Sequence, residues 1–212
     1  MRKISTCLIC LFVTLMSFRT LASEITVSVV DRDGNPVNDV AVFLEQSGAD
    51  NAPVTGKSAK MDQVDAAFVP HLLVVQKGTR VDFPNSDVIA HHVYSFSKPN
   101  DFILPLYKGN AHSPIDFMHP GIVTLGCNIH DHMLAYVLVV DSPVFGKTGP
   151  DGKVVLDASA VGDATVRIWS PRIKDDGDLL LQAVGSDLVF QLKRGLRPPH
   201  NPDRGGIAWN EY

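Results

Sequence analysis

Helical periodicity is almost absent from these 212 residues, cysteine occurs only three times, and no strongly basic stretch is found. Each absence closes off a class of protein. Without apolar residues recurring at three- and four-residue spacing, helical bundles and coiled coils are excluded. A formal charge of −4 offers no electrostatic footprint for nucleic acid. Beyond Phe18 no apolar run approaches the roughly 20 residues that a bilayer-spanning helix takes. The few cysteines are Cys7, Cys10 and Cys127, and their placement matters more than their number.

The chain opens Met1-Arg2-Lys3, runs through an apolar stretch from Ile4 to Phe18 and reaches Thr20-Leu21-Ala22. A charged start, an apolar middle and small residues at the cleavage point are the layout of a secretory signal peptide. Residues 1–22 are therefore expected to be removed after Ala22, leaving a periplasmic protein without stable membrane insertion. That segment carries Arg2, Lys3 and Arg19 and no acid, so the remainder holds a charge of −7. It also takes Cys7 and Cys10 with it. Cys127 is then alone. No intrachain disulfide can form, and a solitary thiol in an oxidising compartment is a hazard, a reactive group or a ligand.

What the chain does have is short runs of Val, Ile and Phe separated by Gly, Pro, Asn and Asp, the pattern of an all-β protein. Expected strands are EITVSVVD, VAVFLE, HLLVVQ, TRVDF, HHVYSFS, FILPLY, GIVTLGC, LAYVLVVD, KVVLD, ATVRIWS and LVFQLK. The turns DRDGNP, QKGT, PNSD and GPDGK lie between them. Asp31 and Asp33 in the first of these suit a hairpin turn; a calcium loop would be longer and would end in a glutamate. Residues 46–58 and 141–152 read as linkers, and residues 196–212 as an irregular tail rich in Pro, Gly and Arg. Between the linkers lies a block, 58–142, that holds Cys127 and seven of the eight histidines.

The stretch LGCNIHDHM gathers Cys127, His130, His132 and Met133 on one loop. Two imidazoles and a thiolate in a plane, with a weak axial thioether, are the donor set of an electron-transfer copper site. Zinc also accepts Cys and His but does not take methionine. A Cys-His nucleophilic pair would need an orienting group, and Asn128 and Asp131 on the same tight loop are poorly placed for that. The missing imidazole should come from another strand, and His91 and His92 are the candidates. Adjacent strand residues point to opposite faces, so only one of them can serve. Alternation mildly favours His92, which shares a face with Tyr94 and Phe96. The remaining histidines, His71, His112, His119 and His200, are expected to be solvated.

The segments AAFVPHLLVVQKGTRVDFPNSDVIAHHV and PGIVTLGCNIHDHMLAYVLVV resemble the cupredoxins, and Cys-x2-His-x2-Met matches the amicyanin type. That resemblance implies a Greek-key β-sandwich over 58–142, one type 1 copper ion, and Cys127, His130 and Met133 as ligands. It places the first histidine four residues after the Asp of Asn-x-Asp, at His91. His92 and His132 depart from the family pattern, which usually has a polar residue and an apolar one there. The chain as a whole is similar to periplasmic proteins labelled methylamine utilisation proteins. The flanks, 23–50 and 146–195, resemble two halves of one carboxypeptidase regulatory-like β-sandwich into which the copper block is inserted, with 25–45 expected to pair with strands after 148 in a single sheet.

The function this implies is single-electron transfer by copper rather than an enzyme activity, with a redox protein docking near His130 and backbone amides near Asn85 and Asn128 tuning the thiolate. A module for copper sensing, delivery or assembly, and an adhesive or carbohydrate-binding β-sandwich with a vestigial site, are the other readings.

Overall fold

The computed structural model describes residues 24–46, 51–110, 112–160, 164–174, 179–182 and 187–200. The expected signal segment and the end of the tail lie outside these. Among the described residues every extended element is a β-strand, and the single helical turn is the short 3-10 segment Ala158–Ala160.

The central block is built on a mixed five-stranded sheet, in the order Leu72–Gln76, Leu134–Val140, Gly121–Gly126, His91–Ser95 and Phe102–Tyr107. The edge strand Leu72–Gln76 runs parallel to Leu134–Val140, so strands distant in sequence are neighbours in the sheet. A three-stranded sheet of Ile115–Phe117, Thr79–Asp82 and Ser58–Lys60 completes the block. A hairpin, Asp62–Val64 with Ala67–Val69, turns through Asp65 and Ala66, which have φ of 51° and 54°. Two consecutive residues of positive φ are what a tight two-residue hairpin turn demands. Met61, Phe68, Val93, Phe117, Val123 and Val137 lie in the core between these elements.

Leu134–Val140 explains its own composition. Ala135, Val137 and Val139 point into that core, while Leu138 and Val140 face the opposite way into a second cluster with Leu72 and Ala41. A strand covered on both faces reads as a continuous apolar run, here LAYVLVV, instead of alternating.

The flanking segments form two further sheets. Glu24–Val30 lies between Lys153–Asp157 (antiparallel) and Asp187–Gln191 (parallel). Ala41–Glu45 lies between Phe145–Lys147 and Thr165–Trp169, with Leu179–Gln182 beyond. The residues before the block do pair with those after it, but in two sheets instead of the expected one. A sheet has to bury its apolar face on another layer. The chain therefore crosses at Asp31–Val40, and Ile25, Val27 and Leu156 of one sheet meet Val42, Leu44 and Val166 of the other in one cluster.

Where they are described, the expected linkers are structured. In the second, Phe145–Lys147 is a strand. In the first, Asn51 bonds to Asp141 and Val54 N–H donates to Lys77 O. Gly78, at φ 88°, sits so close to this segment that a Cβ would lie 2.5 Å from Val54 O. The DRDGNP turn is closed by Asp31, whose carboxylate accepts from the Asp33 and Asn35 backbone and from the Asn35 side chain.

Where the two sandwiches meet, Phe43, Phe145 and Trp169 pack with Val74 and Tyr136 around Leu72 and Leu138. Lys147 spans the seam, donating to Asp39 Oδ1 and, at 2.8 Å, to Leu72 O.

Candidate metal centre

His91 opens strand His91–Ser95, and Cys127 follows directly on the neighbouring strand Gly121–Gly126. The two strands pair only at Gly126 and Tyr94, where the Tyr94 ring lies over Gly126 and leaves no room for a Cβ. The turn after Cys127 is closed by Met133 N–H donating to His130 O at 2.9 Å, and the chain then enters Leu134–Val140. This geometry folds His130 back toward Cys127.

Three donor atoms converge. His91 Nδ1 and His130 Nδ1 are 3.1 Å apart, and Cys127 Sγ lies 4.0 Å from the first and 3.8 Å from the second. Metal–nitrogen and metal–thiolate bonds of about 2.0 and 2.3 Å, spread at trigonal to tetrahedral angles, give donor separations of roughly 3.3–3.7 Å. The observed spacings bracket that range, so these side chains fit a single soft or borderline ion. Among the described residues this is the one trio of His, Cys or carboxylate donors that converges in this way. Met133 is 2% exposed and belongs to the same buried cluster as Cys127.

Asp87 holds the first imidazole. Its Oδ2 accepts from His91 Nε2 at 3.0 Å and from Ala66 N–H at 2.8 Å, and its Oδ1 accepts from Val88 N–H at 2.7 Å. With Nε2–H committed, the lone pair of His91 is on Nδ1 and faces Cys127. The His91 hydrogen bond, followed by those from the backbone, holds the Asp87 carboxyl down at about 2. Asn85 builds the loop beneath, donating from its side chain to Ile89 O and Tyr107 O and accepting from Asp87 N–H. Burial, then the neighbouring His91 and His132, push His130 below the ordinary imidazole value. A neutral ring is the form that can ligate.

The two adjacent histidines are separated as strand geometry dictates. His91 is fully buried and faces inward, whereas His92 is on the outer face with Tyr94 and Phe96. Alternation had favoured His92 because aromatic neighbours suggest a core. Here they line the outer face, where Phe96 is 73% exposed. Asn128 is exposed, and Asn85 serves the His91 loop. Asp87 was visible in the sequence only as a spacing marker, although an acid four residues before a ligating histidine is a usable signal for a ring-orienting partner.

Three of the four histidines expected to be solvated are partly buried. His71 Nδ1 lies 3.0 Å from Leu134 O, and its ring stacks on His200 with centroids 4.7 Å apart. Burial pushes both below the ordinary imidazole value. His112 packs edge-on against Tyr107, and of these four His119 is the exposed one.

The donor set is thus of the soft sulfur-and-imidazole kind that could hold a metal ion. Solved structures similar to the chain include a reduced variant of amicyanin, at 18% identity and a TM-score of 0.37, covering 47% of this chain and 98% of that one. A purple cupredoxin from Nitrosopumilus maritimus is 19% identical with a TM-score of 0.35, over 39% of this chain and 99% of its own. A copper-containing nitrite reductase from Thermus scotoductus SA-01 is 23% identical with a TM-score of 0.38, and this chain spans 28% of its length. The likeness takes in about half of the chain and leaves the rest as additional β-structure. No protein-family model matches, and no curated protein matches.

Proposed function

We propose that this is a periplasmic type 1 copper protein that carries single electrons between redox partners. The observation that carries the reading is the convergence of two imidazole Nδ1 atoms and the Cys127 sulfur at 3.1–4.0 Å. Cys127, His91 and His130 are the in-plane ligands in this reading, and the neighbouring buried Met133 is the axial one. Copper held there would supply one-electron redox chemistry.

The protein's own part is to keep the donors still. Asp87 fixes the ring of His91 and its tautomer, the His130 carbonyl ties Met133 through the backbone, and the core excludes water from Cys127. Donors held in place before and after the transfer keep reorganisation small. His130 is the ligand that reaches the surface, so its outer edge is the exit for the electron. Ile129 beside it is 51% exposed, and Val88 and Ile89 in the loop before His91 are 84% and 41% exposed. Such a rim suits a brief, weakly polar encounter with a redox protein.

Absorption of the copper-loaded protein tests this. An intense thiolate-to-copper band that disappears in Cys127→Ser is expected. A weak band would favour delivery or assembly without redox turnover, and absence of copper binding would overturn both.

A further inference from the structure

A short, stiff bridge brings the end of the described chain onto the central block. Arg197 is tied to the turn that follows Thr165–Trp169. Its N–H donates to Arg172 O at 2.8 Å, and its guanidinium donates to Pro171 O and Ile173 O. Three residues later the ring of His200 lies on His71, which precedes the strand Leu72–Gln76 of the block. Pro198 and Pro199 between them are exposed, and each has a fixed φ. Of residues 197–200 only His200 is partly covered, so the docking rests on one ring.

That contact suits neutral imidazoles. His71 Nδ1 lies 3.0 Å from Leu134 O, so it carries the proton and is satisfied without a charge on the ring. A charged imidazole has N–H on both nitrogens, and His200 Nε2 is enclosed with no partner to accept from it. One charged ring can lie on a neutral one, as a cation lies on an aromatic face. Two charged rings, parallel to within 8° and with centroids 4.7 Å apart, repel. The surroundings do not cancel this. Asp39 favours a charge on His71, but Lys147 opposes it and is paired with that same carboxylate. A charged His132 opposes a charge on His200, and the ring of Tyr136 lies edge-on to His71. Burial is the largest cause acting on the pair, and it holds both imidazoles below their ordinary value.

We propose that the His71–His200 stack is a pH-sensitive latch, which holds the end of the chain on the central block while the rings are neutral and releases it in mildly acid conditions. Released rings titrate near the ordinary value of about 6.5. Docked rings take up protons less readily, so docking is complete above that value and is lost as pH falls below it. The bonds that tie Arg197 to residues 171–173 involve no group that titrates there. The part that swings away therefore begins at Pro198, and it uncovers the face beside Leu134, where the ligand loop ends.

Proton NMR of the full chain, kept reduced so that any bound copper is diamagnetic, tests the latch. A nuclear Overhauser contact between the two rings is expected at about pH 8 and should be lost by about pH 5, with both rings titrating below the ordinary value. His200→Phe keeps an aromatic face and removes the titrating partner. In that variant the contact should persist to about pH 5 and the His71 midpoint should rise. Melting at both pH values establishes that each form is folded. No contact at the higher pH, a contact unchanged at the lower, or one that is lost equally in His200→Phe would overturn the proposal.

Discussion

Asp87→Asn isolates what the loop beneath the centre does. The carboxylate accepts three hydrogen bonds, from His91 Nε2, Ala66 N–H and Val88 N–H. An amide of the same shape has one oxygen and one NH2, so it cannot satisfy all three donors. If its oxygen stays with His91 and Ala66, its NH2 opposes Val88 N–H. If it flips, the NH2 faces His91 Nε2 and forces the imidazole proton onto Nδ1, where the metal should be. Either arrangement loses a charge-assisted hydrogen bond, which contributes about 1.5–3 kcal/mol. Copper affinity should fall about 10–100-fold, the usual effect of removing a partner that orients a ligand. Competition with a chelator measures that, and melting of the metal-free protein measures the hydrogen bond alone. The pH dependence has a fixed sign. Because the folded carboxyl is held down at about 2, its contribution is complete above the ordinary carboxylate range and is lost as pH falls from about 4 through 2. Unchanged copper affinity in Asp87→Asn, together with an unchanged acid limb, would refute the orienting role.

Met133→Leu should keep the thiolate band and raise the reduction potential, because losing a weak donor disfavours Cu(II) more than Cu(I); the near-equal volume limits the packing cost to less than about 1.5 kcal/mol, and voltammetry checks the direction. His92→Ala should leave the band intact and change stability by less than about 2 kcal/mol, since the ring is on the outer face; a colourless variant in absorption would contradict the inward assignment of His91. Gly78→Ala combines a positive φ of 88° with a Cβ 2.5 Å from Val54 O, so chemical denaturation should show a loss of about 2–5 kcal/mol.

The longer strands were readable as β-rich runs between turn residues. FILPLY and LAYVLVV fall on Phe102–Tyr107 and Leu134–Val140. Ser58–Lys60, Ile115–Phe117 and Phe145–Lys147 escaped notice because three-residue strands carry too little alternation and owe their state to their partners. The ligand loop was readable because Cys127, His130 and Met133 are local. The choice between His91 and His92 was harder, since it depends on which face of the strand meets the core, and aromatic residues on the outer face gave the wrong hint. The role of Asp87 and the burial of His71 and His200 emerge only from tertiary contacts: the stacking of His71 on His200 joins residues far apart in the sequence.

The threading of one sandwich through the other sets an order in time. As the chain emerges from its N-terminal end, Glu24–Val30 appears long before its partners, for Thr26 pairs with Val155 on one side and Asp187 on the other. By then every strand of the central block, through Leu134–Val140, is already out. A chain delivered N-terminal end first thus presents the whole central block before the partners of Glu24–Val30 arrive, and a block whose strands are all present can close without them. The inserted block should thus mature first, and the outer sandwich should close around it as the last act. During that interval Ile25, Val27 and Val29 have no cover, and the early strand is the segment most in need of a chaperone.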